Sequence, residues 1–229
     1  MNANGGFDSG LMEYSTVYSR EPNFHSDGSA LVNLNDANQV RDLFRTNSIT
    51  VQPPPTLINY RGLLDFYIQA TQAGLTEQQF QQIVGDITVS TARYTRGRVN
   101  INTASAQVLS ALFQGIGVDS STADSAAQQL VDYRNQNTAN LGSIGWLVDC
   151  LGRTSQVVQR LQTGDYITTR AFQFSADIAA TGPYGRGYRR VRFVFDISGG
   201  TPKIIFREDL SRLGWALGQN ARQTWVAQN

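Results

Sequence analysis

A short pattern occurs twice in this chain and constrains its fold more than any other feature. Val32-Asn33-Leu34-Asn35-Asp36-Ala37 leads into Gln39-Val40-Arg41-Asp42-Leu43-Phe44, and Val99-Asn100-Ile101-Asn102-Thr103-Ala104 leads into Gln107-Val108-Leu109-Ser110-Ala111-Leu112-Phe113. Each copy reads as a short extended segment running into an amphipathic helix, because apolar residues then recur at three- and four-residue spacing. Asn35, and Asn102 or Thr103, are suited to cap those helices, since a short polar side chain can accept from the first unpaired amides. Two units are too few for a solenoid, in which at least three must stack. The pattern therefore predicts two related helical units in one domain.

Between the copies, Gln52-Pro53-Pro54-Pro55 is a stiff break. Helices are predicted over Leu57–Ala73 and from Thr76, as cap, to about Val84. After the second copy, helices are expected over Ala123–Arg134, Ser143–Leu151 and Thr154–Leu161. The character then changes. Phe172, Phe174, Ala176 and Ile178 alternate with polar residues, as do Tyr188 to Ile197, and Lys203-Ile204-Ile205-Phe206-Arg207 is a third apolar run. Gly-rich loops at 181–187 and 198–201 separate them, so the ending reads as a three-stranded antiparallel meander. Three strands with one apolar face need something to pack on, and a helix outside the chain would serve. The fold class is α+β. Residues 1–30 are an irregular lead-in, 31–165 a helical domain, 166–215 an antiparallel sheet and 216–229 a tail.

Composition excludes several function classes. The 229 residues carry 19 Lys+Arg against 18 Asp+Glu, a net charge of +1, with 41% hydrophobic and 16% charged residues. That is enough apolar content to bury a core, and a near-neutral chain is not held to nucleic acid by general electrostatics. Polarity comes from Gln, Asn, Ser and Thr, with Lys203 the single lysine, which suits a surface working outside the cytoplasm. Cys150 and His25 are the only residues of their types, so the chain can form no internal disulfide and no Cys/His zinc cluster. Cys150 lies in the apolar stretch Trp146–Leu151 and reads as a small buried thiol. His25, in a polar lead-in, reads as exposed rather than as a general base. No nucleophile–base pair is evident, so no catalytic residue is assigned and no enzyme is expected. No apolar run reaches the ~18 residues of a membrane span, and Met1-Asn2-Ala3-Asn4-Gly5-Gly6 is not a signal peptide. Either the chain is cytosolic, or a membrane or export segment belongs ahead of it.

The segment Val99–Ser105, with Val108-Leu109, Gly115-Ile116-Gly117 and then Tyr133-Arg134, reads as helix, Gly-Ile-Gly hairpin, helix. Glycines permit the tight turn, and free amides at the start of the second helix can hold an anion. In helix-hairpin-helix DNA-binding proteins that anion is a backbone phosphate. Here the hairpin runs on through Val118-Asp119-Ser120-Ser121-Thr122-Ala123-Asp124, with two acids and no basic residue. Each acid would oppose a phosphate by about 1 kcal/mol or more at surface dielectric. Nucleic acid is accordingly the alternative partner, not the favoured one. In the ending, Arg186, Arg189, Arg190 and Arg192 interleave with Tyr184 and Tyr188. This cluster is either the solvated face of an amphipathic strand or a partner surface, with Arg186, Tyr188, Arg189, Arg190 and Arg192 as its residues.

Three of these segments together carry a family resemblance: Asn100–Ser105 with Gly115-Ile116-Gly117; Phe174-Ser175-Ala176-Asp177-Ile178 with Gly185–Val191; and Ile204–Leu210 with Leu213-Gly214-Trp215. They resemble the general secretion pathway protein K family, the large minor pseudopilins of type II secretion. Glu13–Pro22 is similar to the link between that family's helical subdomains. The resemblance implies a non-enzymatic structural role, with a helical domain of helix-hairpin-helix, SAM-like units inserted into a pilin-like fold. It also implies a place at the tip of the periplasmic pseudopilus beside other minor pseudopilins and secretion-system components. An N-terminal hydrophobic helix, absent from this chain, would anchor the protein in the bacterial inner membrane. Calcium is a family cofactor, but no ligand motif matches. Asp27, Asp36, Asp119 and Asp124 read as caps in loops, and no metal ligand is assigned.

Overall fold

In the computed structural model, which describes residues 14–51, 59–182 and 187–213, each V-N-x-N segment is a short strand paired in parallel with a distant one. Strand β1 is Arg20–Pro22, β2 Val32–Asn33, β3 Ile87–Thr88, β4 Tyr94–Arg96, β5 Val99–Asn100 and β6 Ile167–Thr168. Parallel pairing needs a crossover of a dozen residues or more, usually helical. Helices supply it in both copies. Between β2 and β3 lie α1 (Ala37–Thr46), α2 (Leu63–Gln72) and α3 (Glu77–Ile83). Between β5 and β6 lie α4 (Ala106–Gly115), α5 (Ser120–Gln136), α6 (Gly145–Leu151) and α7 (Gln156–Leu161).

Three bonds recur at matching positions in the two copies. Leu34 N donates to Thr88 O at 2.8 Å, and Ile101 N to Thr168 O at 2.9 Å. Asn33 Oδ1 accepts from Asn35 N, and Asn100 Oδ1 from Asn102 N, each at 2.9 Å. Thr88 Oγ1 accepts from Ser90 N, and Thr168 Oγ1 from Arg170 N, each at 3.1 Å. The first asparagine thus closes a local turn, and the second reaches across its own copy. Asn35 accepts from Tyr60 N at 2.7 Å, while Asn102 donates to Leu141 O at 3.0 Å and accepts from Trp146 Nε1 at 2.9 Å. This overturns the expected caps. With Asn35 and Asn102 committed to distant partners, Asp36 caps α1 and Ser105 caps α4. Thr76 caps α3 as expected, in a reciprocal box with Gln79.

The copies meet at β1 and β4, an antiparallel pair in which Arg20 faces Arg96. Residues 14–30 are therefore not wholly irregular: β1 is a strand, and His25 lies in a hydrogen-bonded turn, its N bonded to Ser29 O at 2.8 Å. Beneath β1 lies a buried charge cluster. Glu21 accepts from Arg98 at 3.4 Å and from Thr168 at 3.1 Å, and Arg98 also donates to Asp165. The Oε1 atom of Glu21 is buried without a hydrogen-bond partner among the described residues. The core around both copies is aromatic and aliphatic: Phe44, Phe66, Phe80, Phe113 and Trp146 are fully enclosed, with Leu109 and Leu130.

The structure divides into two units between Ala171 and Phe172. Ile167–Thr168 pairs with β5, so the first unit runs past residue 165. The second unit contains β7 (Gln173–Thr181), β8 (Tyr188–Asp196) and β9 (Lys203–Asp209) in the order β7-β8-β9, the antiparallel meander expected from its alternation. A bulge leaves Ile205 without a register partner between Phe206, opposite Val194, and Ile204, opposite Phe195. The observed class is α+β. The Pro53–Pro55 break, the start of the helix expected at Leu57, and the 216–229 tail lie outside the described residues.

Candidate partner surface

In an antiparallel sheet, directly opposed residues share a face and successive residues alternate. The register of the second unit therefore sorts its side chains. Phe174 and Phe195, Ala176 and Phe193, and Ile178 and Val191 are opposed pairs on one face, with Ile204 beside Phe195. This apolar face is open: Phe174 is 47% exposed, Ile178 51% and Ile204 58%. Single exposed apolar residues are ordinary, but a contiguous set on one sheet face marks an interaction surface.

The opposite face carries charge in balanced pairs. Arg190 grips Asp177 with both ends of its guanidinium, Nε to Oδ1 at 2.9 Å and Nη2 to Oδ2 at 2.7 Å. That bond holds the Asp177 carboxyl below its ordinary pKa and lifts the Arg190 guanidinium above its own. Arg192 faces Asp177 on β7 and Glu208 on β9. The arginine cluster read from the sequence is thus split by the pleat. Tyr188, Arg190 and Arg192 lie on the charged face, whereas Arg189 shares the side of the apolar residues and pairs with Asp209 at 3.2 Å. Tyr184 and Arg186 lie outside the described residues.

The second sequence candidate, the Gly-Ile-Gly turn, is shorter than expected. Helix α5 begins at Ser120 rather than near Ala123, because Asp119 caps it and accepts from Thr122 N at 2.9 Å. The bonds from Thr122 and Ser121 hold the Asp119 carboxyl at about 2. The anion at this helix start is the chain's own carboxylate, in the place a phosphate would occupy. Asp124 is occupied by the Ser110 hydroxyl. One cation that sequence order hid does reach the turn: Arg160 of α7 lies 3.9 Å from where a Cβ on Gly117 would stand. One guanidinium, at a turn that also carries the Asp119 carboxylate, is too little positive charge to hold a polyanion.

Cys150 is half-buried rather than buried, its Sγ 3.7 Å from Gln129 O, and burial pushes its thiol up to about 11. A thiol so raised is a poor nucleophile. Among the described residues no group of three or more His, Cys, Asp or Glu side chains is placed to hold a metal ion. Asp27 and Asp36 accept from nearby amides, as loop and cap residues do. No helix among the described residues is long and apolar enough to cross a membrane.

Residues 99–145 match the family model described as type II secretion system (T2SS), protein K. This match bears out the resemblance to protein K on the motif that carries it. It spans β5, α4 and α5 and ends where α6 begins, within the first unit. No curated protein and no solved structure matches the chain.

Proposed function

We propose that this chain is the periplasmic part of a minor pseudopilin of type II secretion, a non-enzymatic subunit at the tip of the pseudopilus. The observation that carries this reading is the protein K match over 99–145, joined in one chain to a three-stranded sheet with an open apolar face. That face, centred on Phe174, Ile178 and Ile204, is the proposed seat of a hydrophobic N-terminal helix that anchors the protein in the inner membrane. The helix-hairpin-helix, SAM-like first unit caps the filament and meets other minor pseudopilins. The proposed partner surface also takes in Arg189 beside the apolar face and Tyr188, Arg190 and Arg192 on the charged face. Charge-balanced side chains of this kind supply register and specificity more than affinity.

The test is genetic and biochemical. Deleting the gene should stop export of type II substrates into the medium, and restoring the parent sequence should recover it. A Phe174→Asp/Ile178→Asp variant, altered on the open face only, should accumulate without restoring export. Normal export by the deletion strain would overturn the reading. So would an upstream reading frame without a basic leader and a stretch of ~20 apolar residues.

A further inference from the structure

A second surface, on the first unit, has a different character. Alternation puts Arg20, Tyr94 and Arg96 on one face of the β1–β4 ribbon, and Glu21 with Thr95 on the other. Arg20 and Arg96 are register partners, and like charges directly opposite weaken a strand pair. The guanidinium of Arg20 lies 4.7 Å from the Tyr94 ring centre, and that of Arg93 4.5 Å from the Phe24 ring centre. The two rings meet edge to face at 5.4 Å. Arg93 and Arg96 are exposed and form no ion pair among the described residues. The acids nearest in sequence are engaged elsewhere. Glu21 lies beneath the ribbon with Arg98, Asp27 accepts from Ser29, and Asp86 is 3.9 Å from His25 Nδ1.

We propose that this face of the β1–β4 ribbon docks an acidic segment of a partner protein, its carboxylates accepting from Arg93 and Arg96. Charge complementarity carries the assignment. The guanidinium of Arg93, braced on the Phe24 ring, keeps its N–H edge available, as does that of the exposed Arg96, and such an edge matches a carboxylate in a two-pronged bond. The cations are confined to a ribbon of three residue pairs and the residue that enters it, Arg93, in a chain of net charge +1. A nucleic acid or an anionic bilayer is recognised by a broad basic field, whereas a short acidic peptide needs only a few fixed guanidiniums. This inference stands on the first unit and does not depend on the pseudopilin reading.

The probe is a fluorescein-labelled peptide, Gly-Glu-Glu repeated, titrated with the whole chain by fluorescence anisotropy. Binding should be measurable at low salt and should weaken steeply on going to ~0.15 M salt. The Arg93→Ala/Arg96→Ala variant should bind about tenfold more weakly or worse, and Arg96→Glu should abolish binding. Arg45→Ala, an exposed change on α1, should leave affinity as in the parent, and no variant should melt below the parent, since the altered side chains are exposed and the changes at Arg96 relieve its opposition to Arg20. Failure of the parent to bind, or equal binding by the double variant, overturns the proposal. Tighter binding of oligothymidylate, or of vesicles of phosphatidylglycerol and phosphatidylcholine in equal parts, overturns the assignment to an acidic protein segment.

Discussion

Arg98 donates from Nε to Asp165 Oδ2 at 2.9 Å, and this contact ties the segment between β4 and β5 to the turn that enters β6. The Arg98 side chain is only 2% exposed, and its other partner, Glu21, is buried too. Two acids share one arginine beneath β1, with Arg170 close enough to act on Glu21 electrostatically. Removing one member of a buried pair leaves an uncompensated charge. Arg98→Ala is therefore expected to cost about 3–5 kcal/mol of unfolding free energy. Urea denaturation of parent and variant measures it, and a loss below ~1 kcal/mol, the range of exposed pairs, would contradict the burial described.

Glu21 makes a prediction about pH. Burial is the largest influence on its carboxyl and raises its pKa, against the pull of Arg98 and Arg170. A raised folded-state pKa means that the folded chain binds this proton more tightly than the unfolded chain. The resulting stabilisation is complete below the ordinary glutamate value of ~4.3 and is lost as pH rises through the raised value. Glu21→Gln, neutral at every pH, should lack this component. Denaturant titrations of both proteins across about pH 4 to pH 8 should show a stability difference that changes with pH. A constant difference would sink the assignment.

Gly62 predicts a steric effect. A Cβ at this position would stand 2.5 Å from the carbonyl oxygen of Gly164, a backbone atom that cannot swing aside. Gly62→Ala should cost about 1–3 kcal/mol through overpacking. Gly142→Ala, where a Cβ meets nothing within 4 Å, should stay within ~0.5 kcal/mol of the parent. Thermal melts of the two variants separate the cases, and equal melting would refute the close approach.

Asn102 tests the tether of the second copy. It accepts from the indole nitrogen of Trp146, which is 1% exposed. Asn102→Ala leaves that donor buried and unpaired, at a cost of about 1–3 kcal/mol. The same substitution should disturb the stack of Trp146 on Tyr133, whose rings lie 5.8 Å apart and nearly parallel. Near-ultraviolet circular dichroism reports the stack, and an unchanged spectrum with unchanged stability would rule out the tether.

How much of this was legible beforehand varies by element. The meander, the Thr76 cap and the helices over 106–115 and 156–161 follow from local periodicity and short polar caps, which act within a few residues. The second strand of each copy, Ile87–Thr88 or Ile167–Thr168, is not legible from local pattern. Gly85-Asp86-Ile87-Thr88 and Gly164-Asp165-Tyr166-Ile167-Thr168 echo one another, and read together with the V-N-x-N pairs they would have shown where each copy ends. A two-residue strand has no periodicity of its own to detect. The arginine cluster at 186–192 is legible because its four members lie within seven residues of one another. Arg20 lies more than seventy residues from Arg93 and Arg96 in the chain, and strand pairing with the Phe24–Tyr94 ring contact brings them together.

What the sequence determined alone was the class: a duplicated helical part, an antiparallel ending, and a protein K signature over 99–117 that the family match extends through 145. Those features depend on residues near one another in the chain, where propensity, capping and alternation act. Tertiary structure alone decided that Asn35 and Asn102 tether rather than cap, that Arg98 joins Asp165 to Glu21, and that Arg20 faces Arg96. Each of those outcomes pairs a residue with one or more others that lie far from it along the chain. The geometry of such a pair is set by the packing of the whole unit, to which no local pattern gives access.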